Sequence, residues 1–268
     1  MKLWDKGFSI DKQIEKFTVG NDREIDMHIA KYDVQASLAH AIMLESIGII
    51  TSNELKDLKK GLQELAHDIK NGTFSIETSF EDVHSKIEWE LTKKLGEVGK
   101  KIHTARSRND QVLVALQLYY KENLSIIKDK TKTLFDTLLS LADTHKESLL
   151  PGYTHLQVAM PSSFGLWFSA YAELLIDDVY LLHAVAKVVD QNPLGSAAGY
   201  GSSFPIDREL TTKELDFSTL KYNVVAAQLS RGKSERSIAS ALGGLCNTLS
   251  RFAMDVCLYM SQNFNFIS

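Results

Sequence analysis

The sequence has few of the residues that mark secreted, membrane-bound or nucleic-acid-binding proteins. Its 268 residues include two cysteines and four prolines, and the formal net charge is −4. Cys246 and Cys257 fall in one predicted helix about 16 Å apart, too far for a disulfide, which indicates a reduced, cytoplasmic protein. No apolar run approaches the roughly 18 residues of a membrane span, and no basic tract offers a phosphate-binding surface. We therefore expect neither a membrane nor a nucleic acid as partner.

Metal-ligand patterns are also missing, although the sequence contains eight histidines. None of them has a second histidine, cysteine or carboxylate at a convincing ligand spacing. His84 and Glu88 are i, i+4 neighbours, but such pairs are common on solvated helix faces. We therefore predict no metal site and no cofactor.

Helical signals dominate the chain, and strand signals are thin. Thr51 to Glu54 reads as a capping box, and the apolar helical face that follows it ends at Asn71-Gly72. Residues 100–150 contain neither glycine nor proline, which predicts one very long helix. Further helices are expected at 83–95, at about 162–189 and at about 234–260.

These elements predict a mainly α fold with two domains. We expect an N-terminal helical domain at residues 1–104 and a central long-helix bundle at 105–268. The chain stops at the apolar stretch 264–268, which is typical of a cut rather than of a natural terminus. The bundle is therefore expected to be incomplete.

The segment 103–111 reads His-Thr-Ala-Arg-Ser-Arg-Asn-Asp-Gln and lies just before the predicted long helix. One interpretation is structural, because Ser107, Asn109 or Asp110 could cap that helix. The other interpretation is an anion site, because two guanidiniums, an imidazole and the free N–H groups of the helix would converge there. The residues alone leave both interpretations open.

A second polar motif, Pro-Gly-Tyr-Thr-His-Leu-Gln at 151–157, lies between two prolines and is expected on a rigid turn. A lone histidine is usually a structural residue. Here Thr154 and Gln157 flank His155 and can orient its imidazole, and turns display side chains well. The motif therefore favours His155 as a functional residue.

The glycine-rich segment 194–205 is similar to a phosphate-binding fingerprint only in part. It lacks the third glycine and follows Asn-Pro-Leu rather than a strand. A backbone nest, meaning neighbouring N–H groups that surround an anion, could hold a carboxylate here. The sequence favours the alternative, a plain connection between helices.

Taken together, these motifs resemble the argininosuccinate lyase family, within the fumarase/aspartase superfamily. The resemblance covers almost the whole chain, and its most specific part is Arg-Ser-Arg-Asn-Asp-Gln at 106–111. The Thr-His-x-Gln pattern at 154–157 is shared by fumarases and adenylosuccinate lyases. Other matching segments are Leu3-Trp4, 16–23, 33–37, 81–84 and 193–210.

The resemblance implies reversible elimination of arginine from argininosuccinate, with release of fumarate, in a mostly helical homotetramer. A proton must leave a carbon beside a carboxylate, and donors such as Arg108 and Asn109 suit the dianionic, carbanion-like transition state. His155 is the implied general acid or base, and Asp82 is the implied partner of the cationic arginine moiety. The remaining residues implied in substrate binding are Thr18, Asp22, Thr154 and Gln157.

The chain departs from the family pattern in three places. The usual double glycine after Trp4 is missing, and Thr18 replaces a serine while keeping the hydroxyl. The superfamily's signature loop, Ser-Ser-x-Met-Pro-x-Lys-x-Asn-Pro, is also absent and is expected after Ser268. We therefore interpret the chain as a fragment with little or no lyase activity alone. Alternatives are another superfamily lyase, such as adenylosuccinate lyase, or a non-catalytic relative similar to lens crystallins.

The two polar motifs are expected at opposite ends of the long helix, which would be about 60 Å long. Arg108 and His155 of one chain would then be too far apart to share a substrate. We therefore expect antiparallel association of subunits, which would build shared active sites in a homo-oligomer, expected to be a tetramer. The association is expected along a heptad seam formed by Ile127, Thr131, Leu134, Leu138 and Leu141.

Overall fold

A computed structural model describes residues 12–268 of the chain. This part is mainly helical, as predicted. The matching segment Leu3-Trp4 lies outside the described residues. Four short strands complete the secondary structure of this part: β1 (Leu149–Thr154), β2 (Gln157–Ser163), β3 (Gln191–Asn192) and β4 (Thr219–Leu220). The helices are α1 (Lys12–Val19), α2 (Asp22–Ile25), α3 (Ala30–Ser46), α4 (Ser52–Lys70), α5 (Val83–Leu95), α6 (Glu97–Lys100), α7 (Arg108–Thr144), α8 (Phe164–Val189), α9 (Arg208–Glu214), α10 (Val224–Leu229) and α11 (Lys233–Tyr259), with 3-10 turns at Asp26–His28 and Lys101–His103.

The predicted helix boundaries are confirmed by their caps. At the start of α4 the Thr51 side chain accepts from the backbone N–H of Glu54, whose carboxylate accepts from the Thr51 N–H at 2.8 Å. Helix α5 begins after Asp82, whose Oδ1 accepts from the Ser85 N–H at 2.7 Å. It ends at Gly96, where φ is 60°. These contacts satisfy backbone groups that a helix end leaves unpaired.

The predicted long helix is α7, which continues without a break from Arg108 to Thr144. The segment without glycine and proline begins at residue 100, but the helix begins only at Arg108. The reason is Ala105, which has a positive φ of 58°. A non-glycine residue in the left-handed region interrupts a helix.

The described residues form two compact units. Unit 1 contains residues 12–121 and Asp190–Arg231, and unit 2 contains Glu122–Val189 and Gly232–Ser268. The chain therefore passes between units inside α7 rather than at a linker. The division into domains at 1–104 and 105–268 stays a prediction.

The core of unit 1 is built from helices α3, α4 and α5 and the first turns of α7. Its apolar side chains include Met43, Leu62 and Val114, which are almost completely buried. Burial of such side chains stabilises a fold by about 1.5–3 kcal/mol each. The core therefore anchors α7 through side chains that follow its first turn, among them Val114 and Leu118, and the polar residues described below lie just before them.

In unit 2, helices α8 and α11 pack together through an aromatic cluster. One carboxylate oxygen of Asp255 accepts from Trp167 Nε1 at 3.1 Å and from the Tyr171 hydroxyl at 2.6 Å. Both donors lie on α8, so this carboxylate fixes the two helices to each other. None of the helices that the structure describes has the length and apolarity that a membrane crossing requires.

The heptad seam of α7 is only partly buried within the chain, because Ile127, Leu134 and Leu141 are half-buried. Thr131 is 5% exposed and Leu138 is 2% exposed. Because three of the five seam residues are partly exposed, the association of subunits along this seam stays a prediction.

Strands β1 and β2 form an antiparallel hairpin that the sequence analysis did not predict. Pro151 lies opposite Pro161 in the register, and the two strands pair only with each other in the described part of the chain. Proline is tolerated there because a strand without a second neighbour can do without a ladder N–H. The expected turn at 151–161 is therefore a two-stranded ribbon.

Candidate functional site

A polar cluster in unit 1 is centred on Arg108, the first residue of α7. Its Nη1 donates to Oδ1 of Asp82 at 2.6 Å, a short charge-assisted hydrogen bond. The same oxygen of Asp82 caps α5. Asp82 and Arg108 are 26 positions apart in the sequence, and their hydrogen bond joins the start of α5 to the start of α7. Both residues were predicted to bind substrate.

Two further residues complete this cluster: His103, whose imidazole belongs to the anion-site interpretation, and Glu88, which the sequence did not indicate as a site residue. Glu88 Oε2 lies 4.0 Å from Arg108 Nη2 and 3.6 Å from His103 Nδ1. Burial lowers the pKa of His103, and the positive charges of Arg106 and Arg108 add to the effect, while Glu88 opposes it. The i, i+4 spacing of His84 and Glu88 was the only signal for Glu88, and it was interpreted as a solvated face.

A third carboxylate, Asp26, was also missed. Its Oδ2 accepts from the Val83 N–H at 3.1 Å, next to the cap residue Asp82. Burial raises the pKa of Asp26, and the charges of Asp82 and Asp22 add to the effect, while the hydrogen bond from Val83 and the charge of His84 oppose it. Asp22, Asp26 and Asp82 therefore form a negatively charged rim. Asp22 and Asp82 were predicted to bind substrate, and Asp26 was not.

The remaining predicted residues of unit 1 lie at exposed positions. Thr18 is near the end of α1, and its hydroxyl donates to the Ile14 carbonyl at 2.9 Å. Asp22 begins α2. Asn109 is exposed in the first turn of α7, and its backbone N–H donates to Ser107 Oγ at 3.3 Å. Its side-chain amide is therefore available at the surface beside Arg108.

The two guanidiniums of the Arg-Ser-Arg motif do not converge, contrary to the anion-site interpretation. Arg106 is buried, and its Nη1 donates to Ser37 Oγ at 2.9 Å. Burial would raise the pKa of the nearby Asp33, but His84, Arg106 and Gln111 outweigh burial and lower it. Arg106 therefore belongs to a buried polar network, and Arg108 carries the surface charge alone.

The capping interpretation of the same motif is confirmed for Ser107 and Asp110. Ser107 Oγ accepts from the Asn109 N–H, and Asp110 Oδ1 accepts from the Ser107 N–H at 2.9 Å. Ser107 thus caps the helix through the N–H of its second residue, and Asp110 supplies the carboxylate half of a capping box. The motif thus caps α7 with two side chains and presents Arg108 and Asn109 outward.

The glycine-rich segment does form a nest, and its occupant is the chain's own Asp110. Oδ2 of Asp110 accepts from the N–H groups of Gly195 at 3.0 Å and Ala197 at 2.9 Å. Gly195 has φ of 85°, and a Cβ there would lie 2.7 Å from an Arg208 side-chain carbon. Burial raises the pKa of Asp110, although three N–H groups and Arg106 act against it. The carboxylate nest, the less favoured alternative, is therefore the correct interpretation.

The second predicted group lies on the hairpin turn of unit 2. Thr154 pairs with Gln157 at the ends of β1 and β2, which leaves His155 and Leu156 as a two-residue loop. Their φ values are 51° and 59°, as in the primed turns that join hairpin strands. All four residues are exposed. The expected non-helical display of His155 is confirmed.

The backbone of this turn is strained. Two consecutive non-glycine residues with positive φ are unfavourable, at about 1–2 kcal/mol each. Strain of this kind is retained mainly where the surrounding structure or function requires it. The loop is positioned through Tyr153, whose ring packs against Phe264 at 5.4 Å and against Phe266 at 6.4 Å.

Comparison with known proteins gives the family. A lyase family model matches residues 8–268. The chain is 54% identical over 266 residues to the argininosuccinate lyase of Phocaeicola vulgatus, covering 99% of this chain and 60% of that protein. It is 45% identical to the argininosuccinate lyase of Thermotoga neapolitana, covering 99% of this chain and 67% of that protein. The chain belongs to the lyase family. The resemblance seen in the motifs is therefore confirmed.

Solved structures of lyases share this fold. A variant of EDDS lyase with bound fumarate has a TM-score of 0.83 at 22% identity, covering 97% of this chain and 51% of that one. A fumarate lyase:delta crystallin from Brucella melitensis has a TM-score of 0.79 at 17% identity, covering 96% and 61%. The chain spans about 60% of the length of several curated relatives that it matches.

Proposed function

We propose that this chain is part of an argininosuccinate lyase, which eliminates arginine from argininosuccinate reversibly and releases fumarate. The observation that carries the proposal is the 54% identity to a curated argininosuccinate lyase across nearly the whole chain. The Arg-Ser-Arg-Asn-Asp-Gln motif and the Thr-His-x-Gln turn lie within this match. The lyase fold alone would not choose among substrates.

In this proposal, His155 is the general acid or base of the reaction. Histidine is the side chain that most often serves as a general acid or base in enzymes, and His155 is exposed on a turn between Thr154 and Gln157. The two flanking side chains would orient the ring and contact the substrate. The strained loop backbone supports this role, because a relaxed turn would use glycine at these positions.

The elimination passes through a species with negative charge beside a carboxylate. Arg108 and the exposed amide of Asn109 would stabilise that charge. Asp82 and Asp22, with the newly found Asp26, would attract the cationic guanidino end of the substrate. Thr18 would add a hydroxyl from the N-terminal part, as the family resemblance implies.

We also propose that the complete protein is a cytoplasmic homotetramer with active sites shared between subunits. The proposal of sharing rests on the expectation that a long helix between the two motifs keeps Arg108 and His155 of one chain apart. Exposed apolar residues on α8 and α11 supply a surface for association; examples are Leu166, Tyr180, Leu181 and Met254.

The test measures fumarate release from argininosuccinate by the complete protein that carries this chain. His155→Asn should slow turnover by about 10²–10⁴-fold, the typical contribution of a general acid or base. His183→Asn, at an exposed position of α8, is the matched control and should keep the rate. The 268 residues alone should show little or no activity. Equal rates for wild type and His155→Asn would contradict the role of His155, and a preference for adenylosuccinate would contradict the substrate.

A further inference from the structure

The guanidinium of Arg108 faces two carboxylates at unequal distances. Asp82 holds Nη1 at 2.6 Å, whereas Glu88 lies 4.0 Å from Nη2. The first contact is a strong hydrogen bond, and the second is too long to be one. Glu88 therefore adds a negative charge beside Arg108 without satisfying any of its donors.

The polar groups around Glu88 and Arg108 are also incompletely hydrogen-bonded. Glu88 is 3.6 Å from His103 Nδ1, which again exceeds hydrogen-bond distance. Among the described residues, the buried Nε of Arg108 has no hydrogen-bond partner. A buried donor without a partner is unfavourable. A ligand carboxylate whose two oxygens reached Nε and Nη2 would satisfy both atoms in the bidentate geometry that arginine favours.

We infer that Glu88 competes with the substrate's carboxylate for Arg108 and thereby weakens the hold of the site on fumarate. The inference rests on the proposed function, in which Arg108 binds the dicarboxylate part of the substrate. A ligand carboxylate beside Nη2 would lie within a few ångströms of Glu88, and the two negative charges would repel each other. Asp82 keeps Arg108 in place, so Glu88 is not needed to position it.

This arrangement has a functional consequence. A site that binds its dicarboxylate product too tightly releases it slowly, and binding that is equal for ground state and transition state adds nothing to turnover. A nearby repelling charge reduces that affinity without removing the cation. Glu88 is thus a residue that sets affinity rather than one that performs chemistry.

The experiment uses the complete protein with Glu88→Gln, which removes the charge and keeps the shape. We expect the Kd for fumarate, measured by calorimetry, to fall about three- to tenfold, the size expected for one charge in a partly solvated site. The KM for argininosuccinate should fall in parallel, and kcat should not rise. The melting temperature should stay close to that of wild type.

Two further variants separate charge from folding effects. Glu97→Gln makes the same change at an exposed residue of α6 that pairs with Lys100, and it should leave Kd and KM unchanged. Glu88→Asp keeps the charge but withdraws it from Arg108, and its Kd should fall between those of wild type and Glu88→Gln. If Glu88→Gln folds poorly, the aspartate variant still decides the question.

The outcomes distinguish this inference from the proposed function. If wild type cleaves argininosuccinate but neither variant at 88 binds fumarate more tightly, the inference is overturned and the function stands. Weaker binding in Glu88→Gln also overturns it, because Glu88 would then support Arg108. If wild type does not cleave argininosuccinate but Glu88→Gln tightens fumarate binding, the inference stands without the function. Absence of both argininosuccinate cleavage and fumarate binding in wild type and every variant overturns both.

Discussion

Oδ2 of Asp110 lies 3.0 Å from the backbone nitrogen of Gly195 and accepts its hydrogen bond. The same oxygen accepts from Ala197, and Oδ1 accepts from Ser107. One buried carboxylate thus joins the first turn of α7 to a loop 85 residues further along the chain. Because Arg108 and Asn109 lie in that same first turn, Asp110 contributes to holding both of them in position.

We expect Asp110→Asn to destabilise unit 1 by about 2–4 kcal/mol. The amide keeps the size of the side chain, but its NH₂ group would face backbone N–H donors that need an acceptor, so at least one buried donor loses its partner. The loss of a buried charge-assisted bond adds to this cost. Urea unfolding, followed by circular dichroism, measures the change.

Asp143→Asn is the matched control for this prediction. Asp143 is also an aspartate of α7, but it is exposed and pairs only with Lys146 among the described residues. Exposed pairs of this kind contribute about 0–1 kcal/mol, so the control should unfold within that range of wild type. Equal stability of Asp110→Asn and Asp143→Asn would contradict the role of Asp110.

The outcomes for Arg106 and Arg108 illustrate what the sequence could and could not predict. Glycine, proline and cap residues predicted α4, α5 and the long helix α7, because helix ends depend on local chemistry. By contrast, whether the side chains of Arg106 and Arg108 point inward or outward depends on how the core packs. Arg106 is directed inward to Ser37, 69 residues earlier, and no local pattern specifies a contact over that distance.

The hairpin and the nest were harder to predict for different reasons. Proline is depleted in strands, so Pro151 and Pro161 argued against β1 and β2, whereas an isolated two-stranded ribbon accepts them. The nest around Asp110 could be suggested from glycines, but its occupant lies on a distant helix. A contact between distant residues decided the nest, whereas the isolation of the ribbon decided the hairpin.

We expect Leu156→Gly to stabilise the hairpin turn by about 1 kcal/mol. Leu156 has φ of 59° and is 76% exposed, so the substitution removes backbone strain and loses little apolar burial. Leu166→Gly is the control: it is also exposed but lies inside α8, where glycine should destabilise by about 1 kcal/mol. Thermal unfolding of both variants measures the changes. Destabilisation by Leu156→Gly would mean that the leucine side chain itself holds the turn.

His40 should make unit 1 less stable in mild acid. It is buried in α3, and its Nε2 donates to the Thr104 carbonyl at 2.9 Å. Burial, with the charge of Arg106, lowers the pKa of His40 from 6.5 to about 3. Between these two values the unfolded chain binds a proton that the folded chain does not. Stability is therefore fully present above pH 6.5 and is lost as pH falls.

The size of this effect can be isolated with His40→Gln, whose amide can still donate to Thr104. From pH 7 to pH 5.5, the free energy of unfolding of wild type should fall about 1 kcal/mol more than that of the variant, by proton linkage. Urea titrations at several pH values measure both slopes, and His67→Gln, at an exposed position of α4, controls for the loss of a histidine. Identical slopes for wild type and His40→Gln would show that the buried imidazole takes up a proton without unfolding, and that the Thr104 contact does not keep it neutral.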